Sequence, residues 1–146
     1  MSTSTREEIR LGAITVRFLV EGDASGGSVS MFEFDVAAGG KVPVAHSHDG
    51  YEETIYGLVG TTSWIVDGAP LTVGPGDALC IPRGVVHSFD NTGEADATVL
   101  AVVTPGILGP GYFRELADLV AGAAGPPDPI AIGEIMGRHG LTPARP

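Results

Sequence analysis

The sequence predicts an all-β domain built as a barrel or sandwich, and three observations carry that prediction. Glycine and proline, 22 and 11 of 146 residues, interrupt the chain every few positions, which suits short strands joined by tight turns. Between the interruptions lie apolar runs with strand periodicity, four to nine residues long. No helical period appears before residue 110.

The opening MSTSTREE is polar and expected to fray. Ile14, Val16, Phe18 and Val20 then alternate with more polar positions, the pattern of a half-buried strand, and EGDASGG turns the chain. SVSMFEFDV is apolar on both faces, with Phe32 and Phe34 on one and Val29 and Met31 on the other, so it belongs inside a sheet. After AAGGK come VPVAHSH, ETIYGLVG, TTSWIVDG, PLTVGPGD, ALCIP, VVHSFDN and ATVLAVVTP, each bounded by Gly, Pro, Asp or Asn. About nine strands with regular turn signals fit a sandwich or barrel.

Beyond PGILGPG the period changes. Tyr112, Phe113, Leu116, Leu119 and Val120 follow a helical stripe that GAAGPP ends. A second short helix is signalled by Asp128 as N-cap, Pro129 at its first position, an apolar face of Ile132, Ile135 and Met136, Arg138 and His139 in the last turn, and Gly140 as the stop. Both helices are expected to pack on the outside of the β domain. No internal repeat or long linker divides the chain, so it reads as one domain over 1–146, with a barrel from about 9 to 105 and a helical tail from about 110 to 140.

Charge narrows the partners. A net charge of −10 with a single lysine repels a phosphate backbone, so neither nucleic acid nor an anionic membrane is expected. Cys80 is the only cysteine, no secretory-type leader is evident, and no apolar run reaches bilayer-spanning length. A cytoplasmic protein is expected.

The chemistry concentrates in HSHDGYEE, residues 46–53. On a strand, residues two apart share a face, so His46 and His48 can aim at one point. Imidazole nitrogens bind a metal such as zinc at about 2.0–2.1 Å, which such a pair can supply. Strand parity alone would choose Glu52 as a third ligand over Glu53, but Asp49-Gly50 is a turn signal that resets parity. The patterning of the next strand leaves both carboxylates open and leans to Glu53, since Ile55 and Val59 then face inward. His87 follows a Pro-Gly turn within an apolar strand, where an unpartnered imidazole loses hydration. It lies 41 residues after His46, far enough for intervening strands to return it to the pair.

These residues resemble the cupin superfamily, a family of small conserved β-barrels. Gly40, His46, His48, Glu53 and Gly60 fit the first cupin motif, G-x5-H-x-H-x4-E-x6-G, and Gly76, Pro82, Gly84, His87 and Asn91 fit the second, G-x5-P-x-G-x2-H-x3-N. Fifteen residues separate the two motifs. The resemblance implies a double-stranded β-helix, or jelly roll, with the two helices outside it. It implies that His46, His48, Glu53 and His87 are metal ligands, because only Glu53 keeps the six-residue spacing to Gly60. The metal would be one divalent transition ion: Fe, Mn, Ni, Co, Cu or Zn. Six-coordination would leave two positions open to dioxygen or a chelating substrate.

Where many cupins carry an aliphatic residue beside the metal, this chain has Gly57. A glycine there widens the cavity or else marks a bulge, and Gly57, Ile55, Trp64 and Phe89 are the candidate substrate pocket. Tyr51 and Tyr56 are assigned to packing, Cys80 to a buried inert thiol, Arg83 to a solvated turn and His139 to its helix end. By resemblance the chain is a quercetinase-like metal-dependent dioxygenase for a small hydroxylated or enolisable substrate, with Glu53 able to leave the metal and take a proton. A non-redox isomerase, cyclase or lyase is the alternative, and a non-catalytic metal or small-molecule binding protein a second. The family's habit of pairing through amino-terminal strands implies a homodimer, for which Ile14–Val20 is the available strand.

Overall fold

A computed structural model describes residues 6–42 and 44–144. Eleven strands and two helices follow in order: β1 Glu8–Leu11, β2 Ile14–Val20, β3 Ser30–Val36, β4 His46–His48, β5 Glu52–Val59, β6 Thr62–Val66, β7 Ala69–Val73, β8 Ala78–Ile81, β9 His87–Asp90, β10 Ala97–Thr104, α1 Pro110–Gly122, α2 Pro129–Arg138 and β11 Leu141–Pro143. They form two antiparallel sheets, one ordered β1-β2-β3-β10-β5-β8 and the other β11-β4-β9-β6-β7. This is the expected all-β jelly roll with short carboxy-terminal helices. Among the described residues no helix is long and apolar enough to cross a membrane.

Period-two patterning sets what each strand buries. Ile14, Val16 and Phe18 of β2 and Phe32, Phe34 and Val36 of β3 face the core, and β3 lies between β2 and β10 as its apolar content required. Val99, Ala101 and Val103 continue that layer on β10, while Trp64 and Phe89 supply the facing sheet, their rings stacked 4.6 Å apart. Each of these valine, isoleucine and phenylalanine side chains contributes about 1.5–3 kcal/mol through burial.

The chain's start departs from the sequence reading. Residues 1–5 lie outside the described residues, but Glu7 and Glu8 do not fray: Glu8 opens β1, and the Glu7 carbonyl accepts the Phe18 N–H at 3.0 Å. β1 therefore covers β2, whose two edges are already taken by β1 and β3. A second copy extending this sheet would meet β1, not Ile14–Val20. Pro43, inside the expected strand VPVAHSH, also lies outside the described residues, and β4 is only His46–His48.

The helices form where expected. Asp128 Oδ1 accepts the Ile130 N–H at 3.0 Å with Pro129 at the first helical position, which satisfies a free donor at the helix start. Gly140 takes φ +81° just past the end of α2, a conformation glycine adopts without strain. The chain does not stop there: β11 pairs with β4, setting Leu141 opposite His48 and Pro143 opposite His46. The helices pack against the barrel and also close one end of it. Phe113 of α1 enters the phenylalanine cluster, its ring 5.8, 5.3 and 5.9 Å from those of Phe18, Phe32 and Phe34.

Candidate metal centre

Three histidines from two neighbouring strands meet inside the barrel. β4 carries His46 and His48 on one face, and His46 stands directly opposite His87 of β9. The ring centroids are 5.2 Å apart for His46 and His48, 4.8 Å for His46 and His87, and 4.6 Å for His48 and His87. One nitrogen from each ring lies within 4.8 Å of the other two, so the three can hold a metal ion.

Backbone carbonyls orient two of these rings. His46 Nδ1 contacts the Val44 carbonyl at 2.8 Å and His87 Nδ1 the Val85 carbonyl at 3.0 Å. A carbonyl only accepts, so each Nδ1 carries the proton and each Nε2 keeps its lone pair for a metal. His48 Nδ1 is buried without a hydrogen-bond partner, a polar atom that a protein interior rarely leaves unsatisfied. The donor set thus fits a transition metal: neutral imidazoles, two of them preset by a carbonyl.

The two acidic residues separate. Glu53 is 5% exposed and places Oε1 3.6 Å from His87 Nε2, longer than a hydrogen bond. Glu52 points outward and pairs with Arg83, whose Nη2 donates to Oε1 at 3.0 Å. Burial pushes the His46 imidazole down to about 3, helped by His87 and His48. His48 is also lowered by burial, which Glu53 only partly offsets. Burial would raise the Glu53 carboxyl, yet the imidazoles of His87, His48 and His46 outweigh it and hold it below the usual carboxylate range. Burial would lower His87, but Glu53 and the Val85 carbonyl raise it overall.

A cavity of about 50 Å³ borders the three histidines and Glu53. Leu11, Ile14, Phe34 and Phe89 form its barrel side, and Tyr112, Phe113, Leu116, Met136 and Leu141 close it from the carboxy-terminal segment. Of the four expected pocket residues only Phe89 lines it. Ile55 is fully buried in the core, and Trp64 is spent on Phe89 stacking and on a 2.8 Å bond from Nε1 to Thr62 Oγ1.

Gly57 has a different role from the cavity-widening one. A Cβ there would lie 2.0 Å from the Gly74 carbonyl oxygen, so the glycine is required by close backbone approach. The β5–β10 register also shifts between Val59 and Gly57, the bulge that was the other reading. That shift turns Val59 out to 59% exposure instead of inward. Cys80 is likewise exposed rather than buried, because β8 is a sheet edge and the residue faces outward. The cavity residues the sequence reading missed are Leu11, Ile14 and Phe34 on the barrel side and, above all, those of the tail. Their apolar stripe was visible, but not which surface it would cover.

The Cupin domain family matches residues 32–103. Quercetin 2,3-dioxygenase of Bacillus subtilis (strain 168) is 34% identical over 89 residues, 61% of this chain, which spans only 26% of that relative. Among solved structures, a predicted oxalate decarboxylase from Thermotoga maritima superposes with TM-score 0.63 at 26% identity, covering 69% of this chain and 92% of that one. A cupin-superfamily sugar phosphate isomerase from Silicibacter pomeroyi gives TM-score 0.57 at 27% identity, covering 64% and 60%. The two-sheet barrel, the histidines converging from β4 and β9, and these matches agree: the chain belongs to the cupin superfamily.

Proposed function

We propose that His46, His48, His87 and Glu53 together hold one divalent transition metal (Fe, Mn, Ni, Co, Cu or Zn) and that the site is a metal-dependent dioxygenase for a small hydroxylated or enolisable organic molecule. The observation that carries the proposal is the meeting of three imidazole nitrogens within 4.8 Å beside a buried carboxylate. The 34% identity to a quercetin 2,3-dioxygenase supports the dioxygenase reaction. A bound metal would supply Lewis acidity and, if redox-active, dioxygen chemistry.

The chain's own residues do the rest. The Val44 and Val85 carbonyls keep Nδ1 protonated on His46 and His87. Glu53, held ionised by its imidazole neighbours, accepts the proton that an enol or hydroxyl must lose. The helices exclude bulk water, which strengthens each electrostatic contact inside. A non-redox isomerase, cyclase or lyase is the second reading, favoured by the likeness to a sugar phosphate isomerase. It needs the same ligands and the same base. The chain is further proposed to be a single cytoplasmic cupin domain acting as a homodimer.

Dioxygen consumption by the Fe, Mn, Co and Ni forms with enolisable diketones tests the reaction. Substrate-dependent uptake by at least one form is expected. Isomerisation or elimination without uptake would assign the second reading.

A further inference from the structure

The wall that faces the metal ligands comes from outside the region that the cupin family matches. Residues 32–103 supply the three histidines and Glu53, whereas Tyr112, Leu116, Met136 and Leu141 come from the tail. That wall carries no charge. Apart from Glu53, the histidines and the phenol of Tyr112, no ionisable group lines the cavity, and no lysine or arginine does. The arginines nearest the tail and motifs are engaged on the outside: Arg83 with Glu52, Arg114 with Glu7 and Arg138 with Glu115.

The consequence is a charge rule. A divalent metal balanced by the Glu53 carboxylate leaves a net charge near +1, enough for one negative charge on a ligand. The second charge of a dicarboxylate or a phosphate monoester would be buried against leucine, methionine and phenylalanine without a partner, which costs several kcal/mol. Size adds a second rule, since Tyr112, Leu116, Met136 and Leu141 narrow the space beside the histidines.

Tyr112 is the exception to the wall's apolarity. It is 4% exposed, lines the cavity, and is within electrostatic influence of Glu53. Its phenol can donate a hydrogen bond to an oxygen of a ligand in the cavity.

Resting on the proposed metal site, we infer that this cupin selects a small molecule with an apolar body, an oxygen acceptor and at most one negative charge. In this assignment Tyr112 donates a hydrogen bond to that oxygen, while Leu116, Met136 and Leu141 set the size limit. The inference names a class of ligand and a positioning residue that lie outside the family's own motifs.

Diacetyl and oxalate make a matched pair of probes: equal in heavy atoms, both with vicinal oxygens, but differing by two charges. Binding of each, and of the longer diketone dipropionyl, is measured by calorimetry on zinc-loaded and metal-free protein. Diacetyl is expected to bind at least about tenfold more tightly than oxalate. Tyr112→Phe should weaken diacetyl about fivefold to tenfold while metal content stays constant. Met136→Ala should shift preference toward dipropionyl. If that variant does not fold, Tyr112→Phe, which keeps the ring, still decides the matter. Oxalate binding as tightly as diacetyl, unchanged affinity in Tyr112→Phe, or no binding of any neutral probe overturns the inference. Failure of the metal site reads out separately, as zinc that is not retained.

Discussion

The phenol ring of Tyr51 lies on the imidazole of His48, with centroids 4.6 Å apart and planes 21° from parallel. Tyr51 is fully buried, yet its hydroxyl has no hydrogen-bond partner. The ring therefore holds His48 by packing, and the hydroxyl contributes nothing to that. Tyr51→Phe should be neutral or stabilising by about 1 kcal/mol, because an unsatisfied buried hydroxyl is removed. Tyr51→Ala should cost about 3–5 kcal/mol and weaken metal binding by freeing His48. Urea midpoints and metal titrations of both variants check this.

Gly57 and Gly137 should respond oppositely to the same added methyl. At Gly57 a Cβ meets the Gly74 carbonyl oxygen at 2.0 Å, and backbone must move. Gly57→Ala should cost more than about 3 kcal/mol, at or beyond the upper range of overpacking. At Gly137, in α2, a Cβ meets nothing within 4 Å, so Gly137→Ala should stabilise by about 0.5–1 kcal/mol. Thermal unfolding of the pair is the measurement.

Sequence patterning reached the barrel because alternation is a short, local rule, whereas the histidine cluster was reached through the resemblance to the cupin motifs. Alternation along β2 and β3 determines which side chains enter the core, and the match to the two cupin motifs implied that His46, His48 and His87 share one site. Patterning alone could not separate Glu52 from Glu53, since their strand is mixed on both faces. In the structure Glu52 pairs with Arg83 outside while Glu53 is buried. What was not legible depended on contacts between distant segments. Gly57 is governed by the backbone of Gly74, Cys80 by β8 having no outer neighbour, and β11 by partners about 95 residues earlier in the chain. Tyr112 and Met136 announced an apolar stripe without saying that it would close over the histidines.

Acid should destabilise the metal-free protein. His46 and His48 are lowered by burial, His46 to about 3. Below about pH 6.5 the unfolded chain therefore binds protons that these folded sites refuse, and stability falls as pH drops from there toward 3. Glu53, also lowered, adds loss in the same direction below its ordinary value of 4.5. His87 is raised and works oppositely, contributing stability at low pH and losing it as pH rises through its folded value. With two lowered histidines against one raised, denaturant midpoints at pH 7.0, 5.5 and 4.5 should decrease in that order. A midpoint that increases on acidification would show that His87 dominates.

The two carboxylates offer a direct contrast. Glu53→Gln should weaken metal affinity by more than about tenfold, as expected when a ligand or close partner of a metal is neutralised. Glu52→Gln should leave it unchanged, since only the exposed pair with Arg83 is lost. Competition with a chromophoric chelator gives both affinities, and equal effects would remove Glu53 from the ligand set.

The central claim is that the histidines of β4 and β9 hold a metal, and elemental analysis of protein purified without added metal tests it most directly. One equivalent of a transition metal per chain is predicted, falling to near zero in His48→Ala and His87→Ala while the fold persists by circular dichroism. Wild-type protein that carries no transition metal and takes none up from Fe, Mn, Co, Ni, Cu or Zn solutions would contradict the account.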